Sequence, residues 1–450
     1  MLALAIVQMA LPWFNALIGT QLILSYSSIA FWLYAMAFIL VTSLLAGSYP
    51  AFYLSSFKPV SIFKKQFKKS QSVLSPRKVL VVLQFTFAVI LIISTLVIRQ
   101  QVVYVQDRDK GYNNNNLVKV NFEGDIDKHY AQIKQELLSQ GIATSVTKNM
   151  NGLVSGGAHT WGLRWANENP ADTNTTITLF SSDEGLVATA GINLIAGRDI
   201  DINKYPADSS AVLLNETAVK LMGFKNPIGA TIRQPFNNNA SLHVIGVVKD
   251  FIAGSPYDAV PPTVIQGPGA WFTAMHIKLN PAHTSEENLA KAEAIFKKYN
   301  PAYPFDYQFV DAEYARNFEN EQRTKTLAGL FAFLAIFISC LGLFGLSAYV
   351  AESRVKEIGV RKVLGASVVS ITKLLSADFV MLVAVSVLIA VPVAWYAMDK
   401  WLQGYTFRIS IGWGVFVLAS LVALVIALAT VSFQSVKAAL ANPVKSLRTE

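Results

Sequence analysis

The chain has 450 residues, of which 53% are hydrophobic and 15% are charged, and its mean hydropathy is +0.39. Soluble domains carry about 25% charged residues, so this composition excludes an ordinary soluble protein and predicts a membrane protein. The net charge is +9, but Arg99–Lys325 holds 21 basic and 24 acidic residues. The basic excess therefore lies beside the apolar segments, as in a chain that orients itself in a membrane, and nucleic-acid binding is not needed to explain it.

Six apolar segments predict six membrane spans, since each approaches or exceeds the roughly 20 residues that a span requires. Residues 1–57 contain no charged side chain, whereas the next stretch has seven basic residues and no acidic one, which marks it as cytoplasmic. The predicted boundaries are 1–57 (two spans), 58–78 (basic linker), 79–98 (span), 99–325 (extracytoplasmic domain with stalk), 326–349 (span), 350–373 (charged cytoplasmic segment), 374–398 (span), 399–410 (outer loop), 411–433 (span) and 434–450 (cytoplasmic tail).

The polar insert 99–325 is long enough for a domain with its own core. Three short runs rich in β-branched residues predict strands at Leu117–Phe122, Leu242–Val248 and Ala274–Leu279. Thr284 followed by Glu287 predicts a capping box that opens a helix ending near Tyr299. The predicted fold is therefore an α-helical multi-span membrane protein, with six spans and a mixed α/β extracytoplasmic domain.

A helical pattern begins at Ala312 and continues into the apolar run that ends at Tyr349. A single helix of this length would reach about 57 Å at 1.5 Å per residue. Such a rod is suited to carrying movement between the domain and the membrane, although a stalk that only connects the two is an equally good interpretation.

The stretch Glu352–Ser367 is densely charged and lies between two apolar runs. Its apolar residues form two stripes on different sides of a helical wheel, one around Ile358 and one around Val360, with Gly359 between them. We therefore predict a bend at Gly359, followed by a short helix along the membrane surface. On periodicity alone, a positively charged loop that anchors two spans is the favoured alternative.

The pattern Arg-x-x-Glu-Ile-Gly-Val-Arg-Lys-x-x-Gly-Ala, which begins at Arg354, resembles the cytoplasmic coupling element of FtsX-like and MacB-like ABC transporter permeases. Further motifs resemble the second half of large two-copy permeases with a MacB-type periplasmic core domain: Gly197-Arg198-Asp199, Asn226-Pro227-Ile228-Gly229 and Gly246-Val247-Val248-Lys249-Asp250-Phe251. The resemblance implies that residues 350–373 couple to an ATPase, and it assigns that role to Glu352, Arg354, Lys356, Glu357, Ile358, Gly359, Arg361, Lys362, Gly365 and Ala366.

The resemblance also implies the partners and the location. The chain has no Gly-x4-Gly-Lys-Ser/Thr phosphate loop, so we expect no catalytic residue and no cofactor here, and ATP is expected in a separate cytoplasmic ATPase subunit. The expected location is a bacterial cytoplasmic membrane, with the large domain outside. Export or extraction of a peptide, lipoprotein or drug is the expected process, with a periplasmic adaptor or a substrate protein as a further partner.

Two other functions remain open at this point. The first is a membrane signalling or scaffold protein of the FtsX type, which controls an extracytoplasmic hydrolase or a sensor kinase. The second is a membrane-bound ectoenzyme, which would need a clustered acid, base or metal constellation. The single Cys340 and five scattered histidines do not have metal-ligand spacing, so no metal site is predicted. Asp378 follows Lys373 closely and is expected at the membrane interface.

The first two spans correspond to the last two at an offset of 384 residues, which places Pro59-Val60 on Pro443-Val444 and Lys64 on Arg448. The first residues thus look like the end of an earlier copy of the same module. We expect the chain to be part of a longer permease with eight spans.

Overall fold

The computed structural model describes residues 2–55, 76–166, 168, 175–267 and 272–440. The tail beyond Leu440 and most of the predicted basic linker lie outside these ranges. The helices are α1 (Leu2–Ile18), α2 (Ile29–Ser55), α3 (Pro76–Gln106), α4 (Tyr130–Ser139), α5 (Leu186–Ala190), α6 (Glu216–Met222), α7 (Ser285–Tyr299), α8 (Val310–Arg316), α9 (Glu319–Ser353), α10 (Val355–Val363), α11 (Val368–Leu402) and α12 (Trp413–Leu440).

Four helices of the described part, α3, α9, α11 and α12, are long and apolar enough to cross a membrane. Helix α1, with 17 residues, is a shorter apolar helix. The same holds for the part of α2 up to Leu44. Four of the predicted spans are therefore confirmed as candidate membrane helices, and the count of six stays a prediction. Helix α3 continues to Gln106, past the predicted end of its span at residue 98.

The chain divides into two compact units. Unit 1 comprises the described parts of Met1–Phe85, Ile336–Ser386 and Ile426–Glu450. Unit 2 comprises Thr86–Ala335 and Val387–Val425, and it contains the whole α/β domain. The strands of that domain are β1 (Leu117–Asn121), β2 (Ala143–Asn149), β3 (Ala158–Thr160), β4 (Arg164–Trp165), β5 (Ile177–Ser181), β6 (Leu194–Gly197), β7 (Ala211–Asn215), β8 (Thr231–Gln234), β9 (Ala240–Val248), β10 (Thr263–Gln266), β11 (Ala274–Leu279) and β12 (Gln308–Phe309).

The first lobe of the domain is an antiparallel sheet of four described strands in the order β12-β1-β11-β2. Helix α4 connects β1 to β2, and α7 connects β11 to β12. Apolar side chains of both helices, such as Ile133 and Phe296, pack on sheet residues such as Val118 and Ile277. This is the βαββαβ arrangement of ferredoxin-like domains, with residues 150–273 inserted between its second and third strands.

The insert forms a second lobe around an eight-stranded sheet, in the order β3-β5-β10-β7-β9-β8-β4 with β6 also paired to β9 among the described residues. Strand β7 is parallel to β9 and antiparallel to β10. Its five residues are all buried, because they contribute to cores on both faces of the sheet. The predicted strands and the capping box at Thr284 are confirmed, so the mixed α/β fold is correct.

The predicted continuous rod from Ala312 to Tyr349 is wrong. Helix α8 ends at Arg316, and Asn317 and Phe318 close it with hydrogen bonds from their N–H groups to Tyr314 O and Ala315 O. Helix α9 starts at Glu319. Phe318 is 2% exposed and packs against Tyr257 and Tyr314, so tertiary burial of this aromatic side chain interrupts a helix that the local sequence favours.

A buried polar network joins the two lobes at His276. Its Nε2 accepts a hydrogen bond from the Leu153 N–H at 3.3 Å, so its Nδ1 carries the proton and donates to Asn149 Oδ1 at 2.6 Å. The Asn149 amide then donates to Ser182 Oγ at 2.7 Å. Burial, together with the nearby Lys119 ammonium, lowers the pKa of His276 to about 3. The ring is therefore neutral in the folded domain.

The pH dependence of the free energy of unfolding should reveal that His276 is neutral in the folded domain. In the unfolded chain His276 titrates with a pKa of about 6.5, so below that pH the unfolded state binds a proton that the folded state excludes. We expect the free energy of unfolding to fall by up to about 1.4 kcal/mol per pH unit between pH 6.5 and 3. The melting temperature of the full chain, followed between pH 7.5 and 5, measures this effect. A His276→Gln variant should melt lower with a shallower slope, and an unchanged slope would contradict the assignment.

Candidate functional site

The charged stretch folds as a short helix between two long ones. Helix α9 ends at Ser353, Arg354 leaves helical geometry with φ −107° and ψ 13°, and α10 then runs through Gly359 to Val363. The predicted bend at Gly359 is therefore wrong, because the chain turns at Arg354. Gly359 is buried inside a continuous helix, where the packing of its neighbour Ile358 offsets the roughly 1 kcal/mol that a helical glycine costs relative to alanine.

Ile358 anchors α10 to the long helices. It is 6% exposed and packs with Ile371 and Leu375 of α11 in a small apolar cluster. Val350 of α9, Ala366 of the connection after α10 and Val368 of α11 pack against this cluster. A buried isoleucine contributes about 1.5–3 kcal/mol, so this single side chain can hold the short helix in a defined place.

The Gly365-Ala366 pair of the motif has a structural role at the end of α10. Gly365 has φ +91°, a conformation that glycine adopts at little cost. Its N–H donates to Lys362 O at 3.1 Å, and the Ala366 N–H donates to Arg361 O at 2.9 Å. These two bonds form a Schellman motif, which ends α10. Ser367 then caps α11, because its Oγ accepts the Ser370 N–H at 3.2 Å.

The remaining motif residues form an exposed surface on α10. Glu357 and Arg361 make an ion pair of 2.8 Å along the helix, and their side chains are 43% and 45% exposed. Val360 and Leu364 lie on the same face by helical spacing and are 50% and 80% exposed. We name these four residues the α10 face. It combines charge with exposed apolar area, as docking surfaces commonly do.

Arg354 turns toward α11 instead of joining the α10 face. Its guanidinium lies 3.0 Å from Asp378 Oδ2, and the two side chains are 32% and 48% exposed. The sequence placed Asp378 at the membrane interface but did not reveal that it pairs with Arg354, 24 residues away. The ion pair ties the turn between α9 and α10 to the first half of α11.

The ten predicted coupling residues thus divide into two groups. Glu352, Glu357 and Arg361 are exposed and Lys362 is half-buried, whereas the others named above hold the helix in place. The side chain of Lys356 lies outside what the structure describes. Among the described residues, no group of three or more His, Cys, Asp or Glu side chains is arranged to hold a metal ion.

Sequence reasoning missed a second arrangement, in unit 2, where α3 meets the connection between α11 and α12. Gln101 is fully buried, and its side chain pairs with the backbone of that connection. Its Nε2 donates to Phe407 O and its Oε1 accepts the Ile409 N–H, both at 2.9 Å. We name these two hydrogen bonds the Gln101 clamp. A polar residue near the end of an apolar span was the only signal for it in the sequence.

Phe407 also contacts the α/β domain. Its N–H donates to Tyr257 O at 2.9 Å, and its ring stacks on Tyr104 with centroids 4.8 Å apart. The Arg108 guanidinium lies 4.2 Å from the Phe407 ring centre and donates to Pro256 O and Asp258 O at 2.8 and 2.7 Å. The connection 403–412 is therefore held by both α3 and a loop of the domain.

Tyr405 adds an aromatic contact beside the clamp. Its ring lies 5.0 Å from Tyr257 and 4.9 Å from Trp401, and its hydroxyl lies 3.5 Å from Glu321 Oε1. Burial, reinforced by the Glu321 carboxylate, raises the pKa of Tyr405 to about 12, so the hydroxyl stays protonated at neutral pH. The start of α9 is thus in contact with the same connection.

The fold and the charged segment define a membrane component that carries a large α/β domain and a short surface helix between two candidate spans. Residues 329–443 match the family described as FtsX-like permease C-terminal. This match covers about a quarter of the chain, and it confirms the resemblance drawn from the motif. No curated protein sequence matches the chain.

Three solved structures are similar to parts of the chain. The periplasmic region of MacB from Actinobacillus actinomycetemcomitans is 19% identical over 48% of this chain and 98% of its own, with a TM-score of 0.33. The extracellular domain of the noncanonic ABC-type transporter YknZ from Gram-positive bacteria is 15% identical over 43% and 97%, with a TM-score of 0.30. A domain of a putative permease from Porphyromonas gingivalis is 13% identical over 44% and 90%, with a TM-score of 0.30.

The Gln101 clamp predicts a stability effect that a neighbouring position should lack. Gln101→Leu leaves the partly buried Phe407 carbonyl and Ile409 N–H without this partner, at a cost of up to about 3 kcal/mol for each group. We expect a lower melting temperature and faster proteolysis within 403–412 of the full chain in detergent. Gln100→Leu is the matched control, since Gln100 is exposed. Equal effects of the two substitutions would show that the clamp does not stabilise this connection.

Proposed function

We propose that the chain is the membrane subunit of an ABC transporter, in which a separate cytoplasmic ATPase binds the α10 face and drives movement of the α/β domain. The observation that carries this proposal is the structure of α10 itself. It is a short helix capped at Gly365 and anchored by Ile358, and it exposes Glu357 and Arg361 within the region that matches the permease family.

The geometry of α10 supports a docking role over a simple anchoring loop. A loop that only marks the cytoplasmic side needs positive charge but no defined structure. Here the chain uses a Schellman motif, an apolar anchor and the Arg354–Asp378 ion pair to hold nine helical residues in place. A preorganised surface lowers the cost of binding a partner, which suits a helix that must transmit force.

The contacts of the connection 403–412 suggest how movement reaches the domain. Helices α9 and α11 flank α10 in the chain, and their other ends reach the Glu321, Tyr405 and Trp401 contacts. The Gln101 clamp and the Phe407–Tyr257 hydrogen bond join α3 and the domain to the same connection. A displacement of α9 or α11 along its axis would therefore change the contacts of the domain loop near Tyr257.

The proposal places the protein in a bacterial cytoplasmic membrane as a multi-pass subunit, with α10 in the cytoplasm and the α/β domain on the other side. ATP would be bound and hydrolysed by the partner, so the chain itself is not expected to be an enzyme. Mechanical work on a peptide, lipoprotein or drug outside the membrane is the process that this arrangement suits, with a periplasmic adaptor or substrate protein as a further partner.

A charge swap on the α10 face tests the proposal. The double substitution Glu357→Lys and Arg361→Glu reverses the charges shown to a partner but preserves an ion pair at i and i+4. The cost to the helix should be only a few tenths of a kcal/mol. We expect a co-purifying ATPase in mild detergent to be reduced at least tenfold, while membrane insertion of the chain stays unchanged.

The chain offers a matched control at the start of α9. Glu319 and Arg323 form an exposed pair with the same spacing and order, 3.2 Å apart, and its reversal should leave the ATPase bound. Retained ATPase in the Glu357/Arg361 swap would refute docking through this face. If no ATPase accompanies the wild-type chain even with nucleotide trapped, the transporter proposal itself fails.

A further inference from the structure

A groove with a volume of about 830 Å³ lies between the first half of α11 and the last part of α12, entirely within unit 1. This volume is in the range of sites that bind small molecules, about 300–1,000 Å³.

The groove has an apolar lining with its polar side chains near one end. At the end next to α10, the lining includes Thr372, Lys373 and Ser376 of α11 and Ser432 of α12, together with the apolar Val368, Val369 and Val436. Deeper along both helices the lining is apolar, with Met381 of α11 and Leu428 of α12. An amphiphile with a polar head and an apolar tail has its polar and apolar parts in the same order.

The depth of the groove corresponds to one leaflet of a bilayer. From Lys373 to Ala384, its deepest lining residue on α11, the helix rises about 16 Å at 1.5 Å per residue. The hydrocarbon core of a bilayer is about 30 Å thick, so half of it is about 15 Å. A lipid of the leaflet next to α10 would have its head at Lys373 and the ends of its chains near Ala384.

Two hydroxyl groups on α11 lack partners among the described residues. Thr372 Oγ1 and Ser376 Oγ are buried without a hydrogen bond, and Ser376 is only 7% exposed. Ser386 of the same helix instead donates to Leu382 O at 2.8 Å, which is the usual arrangement for a hydroxyl in a helix. Both unpaired residues line the groove one turn apart, on either side of Lys373 along α11.

Two lysines lie near the end of the groove next to α10. Lys373 lines it and is exposed, and the exposed Lys437 directly follows the lining residue Val436. Asp378, the nearest acidic residue along α11, is held by Arg354 at 3.0 Å. The net charge at this end therefore favours an anionic head group, and each lysine near an anionic surface strengthens binding about fivefold.

We propose that this groove binds an anionic glycerophospholipid of the leaflet next to α10, with its phosphate at Lys373, near Lys437, and its acyl chains along the apolar lining toward Ala384. The inference rests on the membrane placement in the proposed function but does not depend on the ATPase. Because the lipid contacts the first turns of α11, next to Ile371 and Leu375 that hold Ile358, its presence would support the position of α10.

Native mass spectrometry of the full chain in detergent tests the proposal, with phosphatidylglycerol and phosphatidylcholine of identical acyl chains as probes. The wild type should bind phosphatidylglycerol at least tenfold more tightly. The double variant Lys373→Gln and Lys437→Gln should weaken that binding about thirtyfold and leave phosphatidylcholine unchanged. Lys400→Gln, which removes an equal charge from the other end of α11, is the matched control and should behave as the wild type. Ala377→Phe, which fills the groove, should weaken the binding of both lipids.

Equal binding of the two lipids by the wild type, or full binding by the double lysine variant, would overturn the proposal. Self-association of the chain that Ala377→Phe abolishes, with phosphatidylglycerol binding unchanged, would show instead that a second copy occupies the groove. The charge swap on the α10 face provides an independent measurement. If the wild type shows no lipid selectivity but the charge swap still releases the ATPase, only this inference is refuted. If the wild type selects phosphatidylglycerol but the charge swap leaves the ATPase bound, only the proposed function is refuted.

Discussion

Polar backbone groups must be paired wherever water is excluded, and this constraint shapes each notable feature of the molecule. The connection between α11 and α12 lies against apolar helices, so its Phe407 carbonyl and Ile409 N–H are paired by the buried side chain of Gln101. The last carbonyls of α10 are paired by the Gly365 and Ala366 N–H groups. Thr372 and Ser376 are among the buried side chains whose polar atoms have no partner in the described residues, and both line the groove of unit 1.

The charged motif contains residues with two different physical tasks. Ile358, Gly365 and Ala366 build and close the helix, and Arg354 ties it to Asp378. Glu357 and Arg361 are left on the surface together with exposed apolar area. A substitution in the first group would disturb the shape of the segment, whereas one in the second group changes what a partner meets. The effect of a motif variant can therefore be interpreted only when the group of the substituted residue is known.

The α/β domain is connected to candidate membrane helices through a shared apolar cluster and through specific polar contacts. The loop around Tyr257 meets Phe407, while Arg108 pairs with carbonyls of the same loop. The break at Asn317–Phe318 divides the predicted rod, and Phe318 packs against Tyr257 as well. The loop around Tyr257 is therefore the place where the domain meets the connection 403–412.

Local patterns in the sequence determined the four apolar helices, several strands, the capping box at Thr284 and the resemblance of the charged segment to a permease family, because apolar length, alternation and capping act over a few residues. Only the tertiary structure decided the rest. The turn at Arg354 instead of Gly359, and the break at Phe318, follow from where distant side chains pack. Gln101 meets Phe407 from 306 residues away, and His276 meets Asn149 across an inserted lobe. No local periodicity encodes such pairings, since they exist only once the chain has brought its helices and sheets together.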